Sequence, residues 1–123
     1  MSKYTAIKNQ FEKALIKLEK ALNASKNEFV RDSAIQRFEF TLDLSWKMLK
    51  AYIEETKGVI CHSPKDCFRE AYRQKIIQYD DRWIHLVDLR NETVHTYNED
   101  LAEMIYKELP AALILFKSLV KKE

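Results

Sequence analysis

The chain has 123 residues, of which 46% are hydrophobic and 33% charged, enough apolar surface to offset the entropy of folding and to argue against a disordered chain. Its length suits a single domain covering residues 1–123. A formal net charge of +2, from 21 basic and 19 acidic residues, excludes nucleic-acid binding driven by a strong overall field, although not a local basic patch.

One glycine and two prolines are too few for the many tight turns of a sheet protein, so the chain is expected to be all-α. A first helix is predicted from about Tyr4 to Ala24, because Ile7, Phe11, Ala14, Leu15, Leu18 and Leu22 recur at steps of three and four. Lys8, Lys13, Lys17 and Lys20 lie largely off that stripe and read as a solvated face. The second helix begins at a cap, either Asp32 or Ser33 or one turn earlier near Asn27, and carries Ile35, Phe38, Leu42, Trp46, Leu49 and Ile53. Phe38, Phe40, Trp46 and Tyr52 are expected in the core or at a subunit contact, and Gly58 supplies the left-handed stop.

Cys61 and Cys67 are too few for a disulfide scaffold and lack Cys-x-x-Cys spacing, so reduced thiols are expected. His62 beside Cys61 fits no common zinc pattern, and no metal site or cofactor is expected. Ser63-Pro64-Lys65-Asp66 combines a cap, a first-turn proline and a first-turn acid. It opens a short third helix ending near Gln74 or Ile77. Arg69, Arg73 and Lys75 on it are candidates for a phosphate groove, weighed against a plain basic face.

Asp80 and Asp81 open a fourth helix with Trp83, Leu86, Val87 and Leu89, and Asn98-Glu99-Asp100 starts a last one reaching about Val120. Pro110 removes the hydrogen bond to the Tyr106 carbonyl, which predicts a kink. Leu113 to Leu119 is apolar enough, apart from Lys117 and Ser118, to suggest burial on more than one side, as against a second subunit. No apolar run approaches the roughly 20 residues that span a bilayer, and the N-terminus has no signal-peptide core. A cytoplasmic protein without a membrane partner is the expectation.

Chemistry concentrates between Arg90 and Tyr97, where apolar residues thin out at a helix end. At about 100° per residue, Arg90, Val94 and Tyr97 share one side of a straight helix, while Asp88, Asn91 and His95 share another. Arg90 and His95 then sit about 140° apart. Either the helix bends or ends between them, or a two-fold partner brings a second pair into range. Two histidines and two arginines in one cleft suit metal-free RNA cleavage. One imidazole takes the proton of a ribose 2′-hydroxyl, another protonates the leaving oxygen, and arginine binds the phosphoryl oxygens. Asn91 can orient the phosphate or a ring nitrogen of His95. His85, ten residues before His95, reads as a packed or surface histidine.

Arg90-Asn91, three further residues, His95 and then Tyr97 resemble the signature of HEPN-domain proteins. The wider chain is similar to the branch called nucleotidyltransferase substrate-binding proteins. The likeness runs through Arg37-Phe38-Glu39-Phe40-Thr41-Leu42-Asp43-Leu44-Ser45-Trp46-Lys47, Ser63-Pro64-Lys65-Asp66, and Arg90 to Asn98. The resemblance implies a four- to five-helix up-and-down bundle acting as a homodimer, paired with a separately encoded minimal nucleotidyltransferase. It further implies a ribonuclease toxin with Arg90 and His95 as catalytic residues, and an antitoxin partner that adds AMP to the tyrosine two residues after the histidine, here Tyr97. The alternative it carries is a non-catalytic subunit that binds nucleotide or presents substrate to that partner.

Overall fold

The computed structural model describes residues 2–120. Five helices follow one another, α1 (Lys3–Asn23), α2 (Glu28–Lys57), α3 (Pro64–Arg73), α4 (Arg82–Glu92) and α5 (Glu99–Val120), with a 3₁₀ turn at Thr93–His95. No strand occurs among the described residues. The all-α bundle read from composition is what forms.

Each boundary has a local cause. Ser2 caps α1 by accepting from the Thr5 N–H. The second helix starts at the earlier of the two expected caps, since Asn27 Oδ1 accepts from the Val30 N–H at 2.9 Å, and Asp32 and Ser33 lie inside the helix. Gly58 ends α2 at φ +69°, a left-handed conformation that only glycine adopts at little cost. Ser63 caps α3 with Pro64 in the first turn. Asn98 caps α5 by accepting from the Leu101 N–H at 3.1 Å. The last helix continues through Pro110, whose ring is exposed.

The four-residue link between α1 and α2 makes them antiparallel neighbours, so Tyr4 reaches the far end of α2. Its ring meets Tyr52 edge-to-face at 5.0 Å, and its N–H donates to Glu55. α5 packs across both helices, and α3 and α4 close the other side of α2. Phe116 of α5 is fully buried and touches Phe11, Phe38 and Trp83 at ring distances of 6.2, 6.1 and 5.9 Å. Trp83 in turn stacks on Phe68 at 4.7 Å, so one aromatic chain links all five helices.

One expectation is met only in part and one needs correction. Leu115, Phe116 and Leu119 are buried but Ile114 is 68% exposed, so within one chain the end of α5 buries one face, and burial of a second side would require another subunit. Helical spacing places Ile114 opposite the core stripe despite the apolar run around it. Cys61 and Cys67 are not reduced thiols but form a disulfide. The cap at Ser63 folds the chain back, with Asp66 accepting from the His62 N–H, and brings the two Cα atoms to 5.2 Å within a fully buried pocket. A six-residue spacing in sequence carries no sign of that approach.

Candidate functional site

Arg90 occupies the last turn of α4 and points at α2. Asp43 accepts from its Nε and Nη2, both at 3.0 Å, and Glu39 lies 3.1 Å from Nη2. Glu39 and Asp43 are four residues apart in α2 and therefore share the face turned to α4. The fork-on-fork pairing with Asp43 fixes the plane of the guanidinium. It also raises the already high pKa of Arg90, with Glu39 adding to the effect, so the group stays cationic. Nη1 makes no hydrogen bond among the described residues, and the side chain remains 23% exposed. Sequence reasoning gave neither carboxylate a role. An acid pair at i and i+4 in the middle of α2 was the available signal.

The chain tightens immediately after Arg90. Both the N–H and the hydroxyl of Thr93 donate to the Arg90 carbonyl, the hydroxyl at 2.7 Å, which favours 3₁₀ closure over another α-turn. Thr96 repeats the device on the Thr93 carbonyl at 3.0 Å. The α-helix therefore ends between Arg90 and His95. His95 lies exposed at the close of the 3₁₀ turn and makes no hydrogen bond to Arg90. Its ring sits 6.1 Å from that of Tyr97, nearly perpendicular to it. Tyr97 is 83% exposed and its hydroxyl is without a hydrogen-bond partner among the described residues. Asn91 is exposed on the α4 face that leads to His95.

A second charge cluster anchors the far side of this segment. Arg31 is buried at 4% exposure, and its guanidinium binds Asp32, Glu99 and Glu103, with contacts of 2.9 and 3.1 Å to the two glutamates. These bonds raise its pKa well above the ordinary arginine value, Glu99 contributing most. They pin the first turn of α5 to α2, so the short link bearing Tyr97 is held at both ends. A shallow groove of about 350 Å³ runs alongside, lined by Ser33, Gln36, Glu39, Thr93 and Thr96.

The outlying candidates separate in space. Arg69 and Arg73 line a groove of about 600 Å³ between α3 and α4 with Tyr72, Tyr79 and His85. Arg73 is engaged there by Glu70, whereas Arg69 has no ion-pair partner among the described residues. Lys75 lies beyond the end of α3 and lines a different cavity. His85 is a surface residue whose Nε2 pairs with Glu108. Among the described residues, no three His, Cys, Asp or Glu side chains are placed to hold a metal ion. No described helix is long and apolar enough to cross a membrane.

A motif arginine held on a helical bundle, an exposed histidine and tyrosine beyond it, and the same segments quoted above together raise the question of family. Residues 7–122 match the model of proteins described as nucleotidyltransferase substrate binding protein like. The chain belongs to that family. Among curated relatives, a Haemophilus influenzae protein named probable ribonuclease HepT is 36% identical over 85 residues, 66% of this chain. The match spans 58% of that relative's length. A crystal structure of a Thermus thermophilus protein aligns with TM-score 0.83 and 37% identity, covering 91% of this chain and 97% of the other. A second structure, from Haemophilus influenzae and described as revealing the fold of a substrate binding domain of a nucleotidyltransferase, aligns with TM-score 0.80 and 28% identity over 93% and 96% of the two chains. The family's helical fold is the fold of this chain.

Proposed function

We propose that this chain is the HEPN partner of a separately encoded minimal nucleotidyltransferase and acts as a metal-independent ribonuclease toxin. What supports the reading is the motif's position at one helix end, with Arg90 locked in one plane by Asp43 and His95 exposed about one turn beyond it, so that the cleft the two side chains must share is completed by a second copy. A fixed guanidinium with one open Nη1 edge suits a phosphoryl oxygen, and a free imidazole suits proton transfer. His95 accepts the proton of the ribose 2′-hydroxyl as that oxygen attacks phosphorus. The bond to the 5′-oxygen breaks, leaving a cyclic phosphate, and the departing oxygen takes a proton from a second imidazole. That second group is His95 of a two-fold related copy. Val94 and Tyr97, 65% and 83% exposed beside His95, offer apolar and aromatic surface for such a copy to cover. Asn91 orients the phosphate, and Arg69 and Arg73 form a secondary phosphate contact.

In this reading Tyr97 is the control point. Its phenol oxygen gives up its proton to solvent and attacks the α-phosphorus of ATP held by the nucleotidyltransferase, the bond to the β-phosphate breaks, pyrophosphate leaves, and an AMP group remains on the tyrosine. The new bulk and negative charge stand 6.1 Å ring to ring from His95 and repel RNA phosphate.

One observation favours the second reading, a non-catalytic subunit that binds nucleotide or substrate. Asp43 and Glu39 together outweigh the charge of Arg90, which weakens its pull on an anionic substrate. Expression of the chain without its partner separates the two. Growth arrest and RNA cleavage, both abolished by His95→Ala, support the nuclease. A harmless wild-type chain that leaves RNA intact, yet forms a stable complex with the nucleotidyltransferase, supports the subunit role.

A further inference from the structure

The far end of α2, about 25 Å along the helix from Glu39, carries a feature the motif does not use. The first turns of α1, the last turns of α2, the turn after α3 and Leu119 of α5 surround an open cavity of about 600 Å³. That size falls within the roughly 300–1,000 Å³ of small-molecule sites. Its floor is apolar, built from Met48, Leu49 and Ile77. Tyr52, braced edge-to-face by Tyr4, forms a wall. Lysines line the opening, and no carboxylate lines it among the described residues. Glu55 on α2 accepts a hydrogen bond from the Tyr4 N–H.

Lys75 is the informative residue. It is the one non-glycine residue at positive φ among those described, at +61°. The cause is a Schellman ending of α3, with the Lys75 N–H on the Tyr72 carbonyl and the Ile76 N–H on the Ala71 carbonyl. Glycine fits that position without steric cost, whereas lysine is strained there. The strained residue sets an ammonium at the cavity beside Lys57, and neither lysine has an ion-pair partner among the described residues. Gln74 donates its side-chain N–H to Glu70 at 2.7 Å, which leaves its amide oxygen free to accept. The Tyr52 hydroxyl is likewise unpartnered among the described residues.

We propose that this cavity binds a nucleoside phosphate, with the base against Tyr52 over the apolar floor and the phosphates at Lys57 and Lys75. Two mobile ammonium groups serve phosphate as point charges, and an aromatic wall above methyl and methylene groups suits a planar ring. Bare phosphate would leave the apolar floor unused, and an uncharged ring would leave both lysines unpaired. The site shares no residue with the Arg90–His95 segment, so it stands or falls apart from the nuclease reading, and it gives a location to the nucleotide binding of the second reading.

Calorimetric titration of the full chain with ATP, adenosine and pyrophosphate tests the idea. ATP should bind more tightly than either fragment. Lys57→Gln and Lys75→Gly should each weaken ATP binding about tenfold, the scale of one charge-assisted contact. Lys75→Gly should at the same time raise the Tm of the free protein, which rules out unfolding as the cause of weaker binding. ATP should shift the methyl resonances of Met48 and Ile77 and not those of Val94, beside His95. The proposal is overturned by an absence of ATP binding at millimolar concentration, by ATP binding no tighter than pyrophosphate, by unchanged affinity in both lysine variants, or by shifts confined to Val94.

Discussion

Asp43 and Arg90, 47 residues apart in sequence, meet through two hydrogen bonds of 3.0 Å that fasten the end of α4 to the middle of α2. Both side chains keep partial solvent access, so the pair is worth about 1 kcal/mol, well below the cost of breaking a dry ion pair. Asp43→Asn should lower Tm by about 4 °C in scanning calorimetry. In the nuclease reading it should also slow RNA cleavage by loosening the guanidinium plane, with Arg90 still present. A double-mutant cycle with Arg90→Ala would measure the coupling directly, and a coupling of zero would mean the pair does not position Arg90.

His95 and Tyr97 project from a turn whose backbone bonds do not involve their side chains. His95→Ala and Tyr97→Phe should therefore change Tm by less than about 1 °C, as expected for exposed positions. Their functional effects should diverge. His95→Ala should abolish the growth arrest caused by the chain alone, whereas Tyr97→Phe should leave arrest intact and remove rescue by the nucleotidyltransferase. Mass spectrometry of the co-expressed wild type should find AMP on Tyr97. An unmodified Tyr97 with full rescue would remove adenylylation from the mechanism.

The Cys61–Cys67 disulfide closes a short loop, and the chain-entropy scale assigns such a loop about 2 kcal/mol. Cys61→Ser with Cys67→Ser, or reduction of the wild type, should lower Tm by about 8 °C. The loss should be local to the α2–α3 connection, visible as faster amide exchange at His62 and Asp66. Equal Tm values with and without reductant would show that the capped turn at Ser63 supports the loop unaided.

Acid stability follows from the surface carboxylates. Lys26 and then Arg31 hold Glu103 below the ordinary glutamate value, Gln74 and Arg73 do the same for Glu70, and Arg82 does so for Asp80. A carboxyl group with a lower pKa when folded contributes stability above its unfolded pKa and loses it as pH falls through the folded value. Tm should thus hold steady from neutral pH down to about 5 and decline below it. Glu103→Gln should lower Tm at neutral pH and flatten the acid decline. A decline as steep as in the wild type would assign the linkage to other groups.

Several features were legible before any coordinates. The apolar stripes of α1 and α2 predicted core residues that are buried, among them Phe11, Leu15, Leu18, Phe38 and Leu42. Ser63-Pro64 and Asn98 announced helix starts because caps are local chemistry. The features left open or misread depended on a neighbour or on a turn. The cap of α2 was ambiguous between Asn27 and Asp32 or Ser33, and packing of Arg31 and Ala34 against the bundle extends the helix to the earlier one. Ile114 sits in an apolar run but on the outer side of a helix that buries only one face. Lys75 counted with Arg69 and Arg73 in sequence, yet the left-handed residue after α3 sends it to another cavity.

By itself the sequence determined an all-helical chain, the order of its helices, and the clustering of Arg90, Asn91, His95 and Tyr97 at one helix end, because periodicity, caps and short motifs act within a few residues. Tertiary structure alone decided that Arg90 answers to Glu39 and Asp43, that Arg31 anchors α5, that Cys61 and Cys67 join, and that Lys57 and Lys75 share a cavity with Tyr52. The physical reason is that ion pairs and cavities depend on which helix faces meet across long stretches of chain, and no local pattern encodes the partner.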